Sequence, residues 1–224
     1  MLADNASRPE PSYVRPQAGR YTAEVEIKRS RFIALAERCT SEDEAREFIG
    51  AIRREYPDAR HHCSAFVVHV DAAQPIERSS DDGEPAGTAG QPMLEVLKGW
   101  SAPKPLQDVA VVVVRYFGGI KLGTGGLVRA YGDAVRAALE DARPRERRLV
   151  REHSLVVAHA EAGRIENDLR AAGFVVTGTD YAERATLHVA VPPAQQDALT
   201  TLVAATTAGE GVLVPGEEEW VDLA

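Results

Sequence analysis

Cysteine is scarce: Cys39 and Cys63 are the only two among 224 residues. Two thiols cannot build a disulfide framework. No apolar run approaches the ~20 residues that cross a bilayer. The opening stretch MLADNASRPEPSYVRPQ lacks the apolar core of a signal peptide. These absences point to a cytoplasmic protein without a membrane partner. Metalloprotease and serine-hydrolase signatures are missing too: there is neither a His-Glu-x-x-His helix nor a Gly-x-Ser-x-Gly elbow. Apolar residues make up 44% and charged residues 27%, which excludes collagen, coiled coil and wholesale disorder. The length suits one large domain or two small ones.

Charge is unevenly placed. From Met1 to Leu149 there are 22 basic and 22 acidic residues; from Val150 to Ala224 there are 4 and 12. The whole excess of −8 therefore sits in the last third, which predicts two units with different surfaces. Phosphate contacts rely on positive charge, so they are not expected across the C-terminal unit.

The local pattern predicts an α+β protein of two domains. Residues 1–19 carry Pro9, Pro11 and Pro16 and read as a disordered tail. An N-terminal domain follows over 20–145. It opens with two strands between Tyr21 and Arg38, with Ser30 and Arg31 near their turn. A helix opened by the capping pattern Ser41-Glu42-Asp43-Glu44 is stopped by Pro57. A β-rich run spans 63–70, and a loop of glycines and prolines spans 79–90. Pro92 falls in the first turn of a helix to about Trp100. The apolar run over 108–116 reads as a strand buried on both faces. A helix is expected over about 125–142, and the basic stretch 143–151 reads as a connection. The remainder, 146–224, has the order βαββαβ, the ferredoxin-like plan, with Gly173 ending its first helix.

Chemistry concentrates around Arg115 and the glycines after it. Gly118, Gly119, Gly123, Gly125 and Gly126 surround Lys121 and Thr124, between a buried strand and a helix. Glycine lets backbone N–H groups approach a ligand and turn left-handed. Successive amides at a helix start form a nest for an anion, with Arg115, Lys121 and Arg129 as the charge. The same glycines also fit a tight turn with close packing. Neither familiar phosphate motif is satisfied. A P-loop needs Lys followed by Ser or Thr where Thr124-Gly125 stands, and a dinucleotide fingerprint needs a small residue where Val128 stands.

Two accessory groups remain. Asp81, Asp82 and Glu84 place three carboxylates close together, for a cation or for acid–base work, or simply for an Asp-Asp-Gly turn. His61, His62 and Cys63 invite a metal reading, but a third ligand is hard to name and Cys39 has no zinc spacing. No catalytic set, metal or cofactor is assigned.

The segments DDGEPAGTAGQPML (81–94) and VVVVRYFGGIKLGTGGLVRAYGDAV (111–135) closely resemble the IMPACT/YigZ family. His61-His62-Cys63 sits where such proteins carry a related His-containing segment. The resemblance is strong over about 20–140 and weaker in the tail. It implies an N-terminal domain with the fold of ribosomal protein S5 domain 2. It implies a C-terminal domain similar to the last domain of translation elongation factor G. Eukaryotic relatives regulate translation by binding an activator of the general-control kinase. For bacterial relatives the fold points to RNA or the ribosome. Three readings follow: a translation-associated regulator that binds RNA, the ribosome or a protein of the translation machinery; an adaptor docking through the acidic C-terminal domain; and an enzyme or sensor for a small phosphorylated ligand.

Overall fold

The computed structural model describes residues 11–223 and divides into two compact units, Tyr13–Glu146 and Arg147 onward with Ser12. No helix among the described residues is long and apolar enough to cross a membrane.

The expected tail extends in part over residues 1–10, which lie outside the described residues. The rest of it is ordered, because Ser12–Pro16 form strand β1. Tyr13 explains why. Its ring is buried, stacks on His69 with centroids 4.5 Å apart, and donates its hydroxyl to Asp108 at 2.7 Å. The backbone of Val14 exchanges hydrogen bonds with Pro105 and Gln107. Proline content concealed these apolar anchors.

In the N-terminal unit, β2 (Arg20–Ile27), β3 (Ser30–Arg38), β4 (His61–Val68), β5 (Ile76–Ser80) and β6 (Val109–Tyr116) form one antiparallel sheet. Its order is β2-β3-β6-β4-β5. Central β6 has no solvent face, which accounts for its unbroken apolar sequence. Val109, Val111 and Val113 pack under helices α2 (Gly90–Gly99) and α3 (Thr124–Leu139). Ala110, Val112 and Val114 pack with Phe48 and Ile52 of helix α1 (Glu42–Glu55) on the opposite face. Each buried valine contributes about 1.5–3 kcal/mol.

Helix α1 starts as expected: Ser41 Oγ accepts from the Glu44 N–H at 3.1 Å, and the Glu44 carboxylate accepts from the Thr40 N–H at 2.7 Å. The β2–β3 turn is Lys28-Arg29, with Ser30 and Arg31 directly after it as the first residues of β3. One detail differs from expectation. The expected loop 79–90 begins later, since Ser79 and Ser80 end β5, an edge strand whose polar sequence carries no alternation.

The C-terminal unit follows the order β7 (Pro144–Val157), α4 (His159–Ala171), β8 (Val175–Tyr181), β9 (Ala185–Val191), α5 (Gln196–Thr206) and β10 (Val212–Asp222). The antiparallel order β10-β7-β9-β8 is the ferredoxin-like arrangement. Leu155, Ile165, Leu169, Leu187, Val189 and Leu199 fill its core. Gly173 has φ +89, and Phe174 N–H reaches Leu169 O, closing α4 in a Schellman turn.

The basic stretch 143–151 contains the junction of the two units, but as strand and not as loop: most of it lies in β7. Acidic β10 runs beside it, so Arg147 meets Asp222 at 3.3 Å and Arg151 meets Glu218 at 2.7 Å. Opposite charges across neighbouring strands make a charged sequence stable as a strand. They also neutralise part of the acidic excess internally.

Candidate functional site

The strand-to-helix turn after β6 carries the site. Arg115 is the penultimate residue of β6 and Gly123 is the N-cap of α3, with φ +76 and no side-chain cap. Residues 119–121 and 123–125 are exposed. The amide of Gly118 is taken by Ser30 Oγ at 3.1 Å. The first intrahelical bond runs from Leu127 N–H to Gly123 O. That leaves the amides of Thr124, Gly125 and Gly126 without a partner among the described residues, at the positive end of the α3 dipole.

Beside this turn lies a cavity of about 770 Å³. Arg60, Arg115, Lys121, Gly123 and Thr124 line it, with His61, Asp58 and Glu84. Phe117, Tyr116, Leu122, Leu127 and Pro85 supply its apolar wall. Lys121 and Arg60 form no ion pair among the described residues and are exposed.

Arg115 is held differently. Its guanidinium lies between two rings, 5.4 Å from the centroid of Phe32 and 5.6 Å from that of Phe117. Nη1 donates to Glu84 Oε1 at 2.6 Å, while Nε is buried with no hydrogen-bond partner. Phe117 stays 57% exposed beside these cations.

Glu84 anchors a buried chain of polar groups. Tyr131 donates its hydroxyl to Glu84 Oε1 at 2.8 Å, and Cys63 Sγ lies 3.3 Å from that hydroxyl. Burial pushes the Cys63 thiol up to about 12. It pushes the Tyr131 hydroxyl upward as well. Both groups are therefore neutral, and Cys63 is no nucleophile at ordinary pH.

The remaining acidic residues bind the chain to itself. Asp81 caps α2 from a distance: Oδ1 accepts from the amides of Ala89 at 2.9 Å and Gly90 at 2.8 Å, and Oδ2 from that of Gly87 at 2.8 Å. Burial opposes its ionisation, but these three donors outweigh it and lower its pKa. Asp82, at φ +43, accepts from His62 N–H at 2.7 Å and from Arg53 at 2.6 Å. Its pKa is also lowered: desolvation works against ionisation, and the His62 amide and Arg53 win.

The histidines divide by face, as strand alternation requires. His61 Nδ1 meets Asp82 O at 2.9 Å beside the cavity. His62 is buried and Nε2 meets Tyr56 O at 2.9 Å. Among the described residues no three His, Cys, Asp or Glu side chains stand together as metal ligands.

The structure thus brings Arg115, Lys121, Gly123 and Thr124 to one cavity, with His61 and Glu84 at its edge. Arg129 does not join them. It lines a separate groove between α2 and α3, with Gly125, Trp100 and Val128. Five residues, about 1.4 turns, separate position 129 from Thr124, so its side chain lies on the α2 side of the helix and not over the cavity. Gly118, Gly119 and Gly126 line neither. Sequence reasoning missed Arg60, Phe117 and Tyr131. A tyrosine on the apolar stripe of α3 was the available signal for the last, since a buried hydroxyl requires a partner.

Comparison with known proteins places the chain in a family. Residues 28–139 match the Impact N-terminal domain, and 155–210 match a domain of unknown function, DUF1949. The IMPACT family member YvyE of Bacillus subtilis (strain 168) is 39% identical over 201 residues, 90% of each chain. The IMPACT family member YigZ of Escherichia coli (strain K12) is 38% identical over 193 residues, covering 86% of this chain and 93% of its own. A crystal structure described as a hypothetical protein aligns with 93% of this chain and 98% of its own, at 39% identity and a TM-score of 0.57. The chain belongs to the IMPACT family.

Proposed function

We propose that the N-terminal unit binds RNA through the cavity at the start of α3, in keeping with the translation-associated role that the family resemblance implies. One observation carries this reading: exposed Lys121, with no ion pair among the described residues, shares a cavity with the uncapped start of α3, and the Arg115 guanidinium stands in the cavity wall. Phosphate oxygens suit the Lys121 ammonium and the open Thr124 amide, with the Arg115 charge behind them. Exposed Phe117 adds a π-face on which an unpaired base stacks, the usual companion of a cationic groove in single-strand recognition.

The adaptor reading loses support, since Glu218 and Asp222 already pair with Arg151 and Arg147. A small phosphorylated ligand would use the same cavity, and competition separates the two. Fluorescence anisotropy of a labelled single-stranded oligouridylate should show binding that weakens steeply with salt. Lys121→Glu should weaken it, and free nucleotides should displace the RNA poorly. Absence of binding at ~50 mM salt defeats the RNA reading. Equal displacement by a mononucleotide or a sugar phosphate reassigns the cavity to small ligands.

A further inference from the structure

The β2–β3 hairpin closes on Lys28 and Arg29, with φ +48 and +62. A two-residue turn with both central residues left-handed favours Asn-Gly, because long L side chains are strained there. Here two basic residues accept that strain. Both are exposed, and neither has a hydrogen bond or ion pair among the described residues. The nearest charged pair, Arg31 with Glu24 at 2.6 Å, does not involve them. The pairing of Ile27 with Ser30 holds the turn, but no side-chain contact within the fold accounts for lysine and arginine at its tip. Two unpaired cations on a strained, exposed turn suit a ligand from outside the fold.

The position of the turn supplies the binding. The chain at the tip lies directly against the glycine loop. Gly118 donates its N–H to Ser30 Oγ at 3.1 Å. A Cβ on Gly118 would stand 2.1 Å from the carbonyl carbon of Arg29. Gly118 is thus a glycine because the hairpin needs its space. That contact fixes Lys28 and Arg29 alongside the loop that carries Phe117 and Lys121. Ile120, in the same loop, is 43% exposed.

We infer that the Lys28-Arg29 tip is a second phosphate-contacting element, so that a single strand of RNA runs from the cavity at Lys121 past Phe117 and onto the hairpin. This rests on the RNA reading of the cavity and extends the site beyond its walls. It requires the full-length chain to bind more nucleotides than the cavity alone can hold.

The test uses variants in which structure and function move oppositely. The double change Lys28→Asn and Arg29→Gly installs the preferred turn and removes both charges. It should raise Tm. It should also weaken binding of the labelled oligouridylate on the order of 10-fold or more at low salt, and flatten the salt slope by about 1.4, or 0.7 per lost contact. The charge-only change Lys28→Gln and Arg29→Gln should lose the same affinity without the gain in Tm. Wild-type affinity in either double variant, with Lys121→Glu still impaired, overturns the hairpin contact and leaves the cavity standing. Failure of the wild-type chain to bind the oligouridylate overturns both.

Discussion

Glu84 Oε1 sits 2.6 Å from Arg115 Nη1, an ion pair with side chains only 4% and 7% exposed. The two residues come from different motifs, 31 positions apart. The pair therefore fixes the acidic loop against the end of the central strand, and it sets how far the Arg115 guanidinium reaches into the cavity. Breaking one partner of a buried pair leaves an uncompensated charge and costs about 3–5 kcal/mol. Glu84→Ala should accordingly lose about 3 kcal/mol or more in urea unfolding. Replacing both, as Glu84→Leu with Arg115→Met, should cost clearly less than the sum of the single changes. Additive costs would show that the two side chains do not act as a pair.

Asp81 gives the same loop its dependence on pH. Its carboxylate holds three amides at the start of α2, and its pKa is lowered in the folded chain. A depressed folded value means that its contribution is complete above the unfolded value of about 3.9 and is lost as pH falls through the folded one. Asp81→Ala should lower stability at pH 7 by about 1–2 kcal/mol, the range for a lost helix cap. The gap between variant and wild type should shrink as pH is taken below about 4. A gap that stays constant to pH 2 would show that the charge on Asp81 contributes nothing.

Two glycines of the loop separate by cause. Gly118 is constrained by space, since its Cβ would overlap the Arg29 backbone at 2.1 Å. Gly123 is constrained by conformation alone, with φ +76 and open space where a Cβ would go. Gly123→Ala should cost about 1–3 kcal/mol, because φ +76 with ψ 167 lies in a region almost confined to glycine. Gly118→Ala should cost more, because backbone must move. Thermal unfolding of the two variants ranks them, and the reverse order would contradict the packing at the hairpin.

How much of this was legible follows from what pattern can and cannot encode. The run of valines in β6 announced a strand buried on both faces, and Gly173 announced the end of α4, since each carries its cause in local sequence. The glycines and Lys121 announced the turn at α3. Strand β1 did not show, because its stability comes from Tyr13 meeting Asp108 and His69 far along the chain. The basic first half of strand β7 did not show, because its arginines become strand-like only beside the acids of β10; only its apolar end, from Ser154, carried a strand pattern. Asp81 and Asp82 looked like chemistry; three-dimensional contact turns them into caps and ties.

Arg129 provides the sharpest check on the boundary of the site. Chain order puts it five residues after Thr124, and charge alone makes it an equal candidate to Lys121 for holding phosphate. The fold separates them: Lys121 lines the cavity with Arg115, whereas Arg129 lines the groove between α2 and α3. Long-range attraction from Arg129 is screened within about 10 Å at 0.1 M salt. Arg129→Glu should therefore weaken RNA binding only at low salt and become silent near 0.15 M. Lys121→Glu should stay impaired at both, because a direct contact is lost and not merely a field. Measuring both variants across the salt series distinguishes the cases. Equal and persistent losses would mean that RNA crosses the α2–α3 groove as well, and the site would have to be redrawn to include Trp100 and Val128.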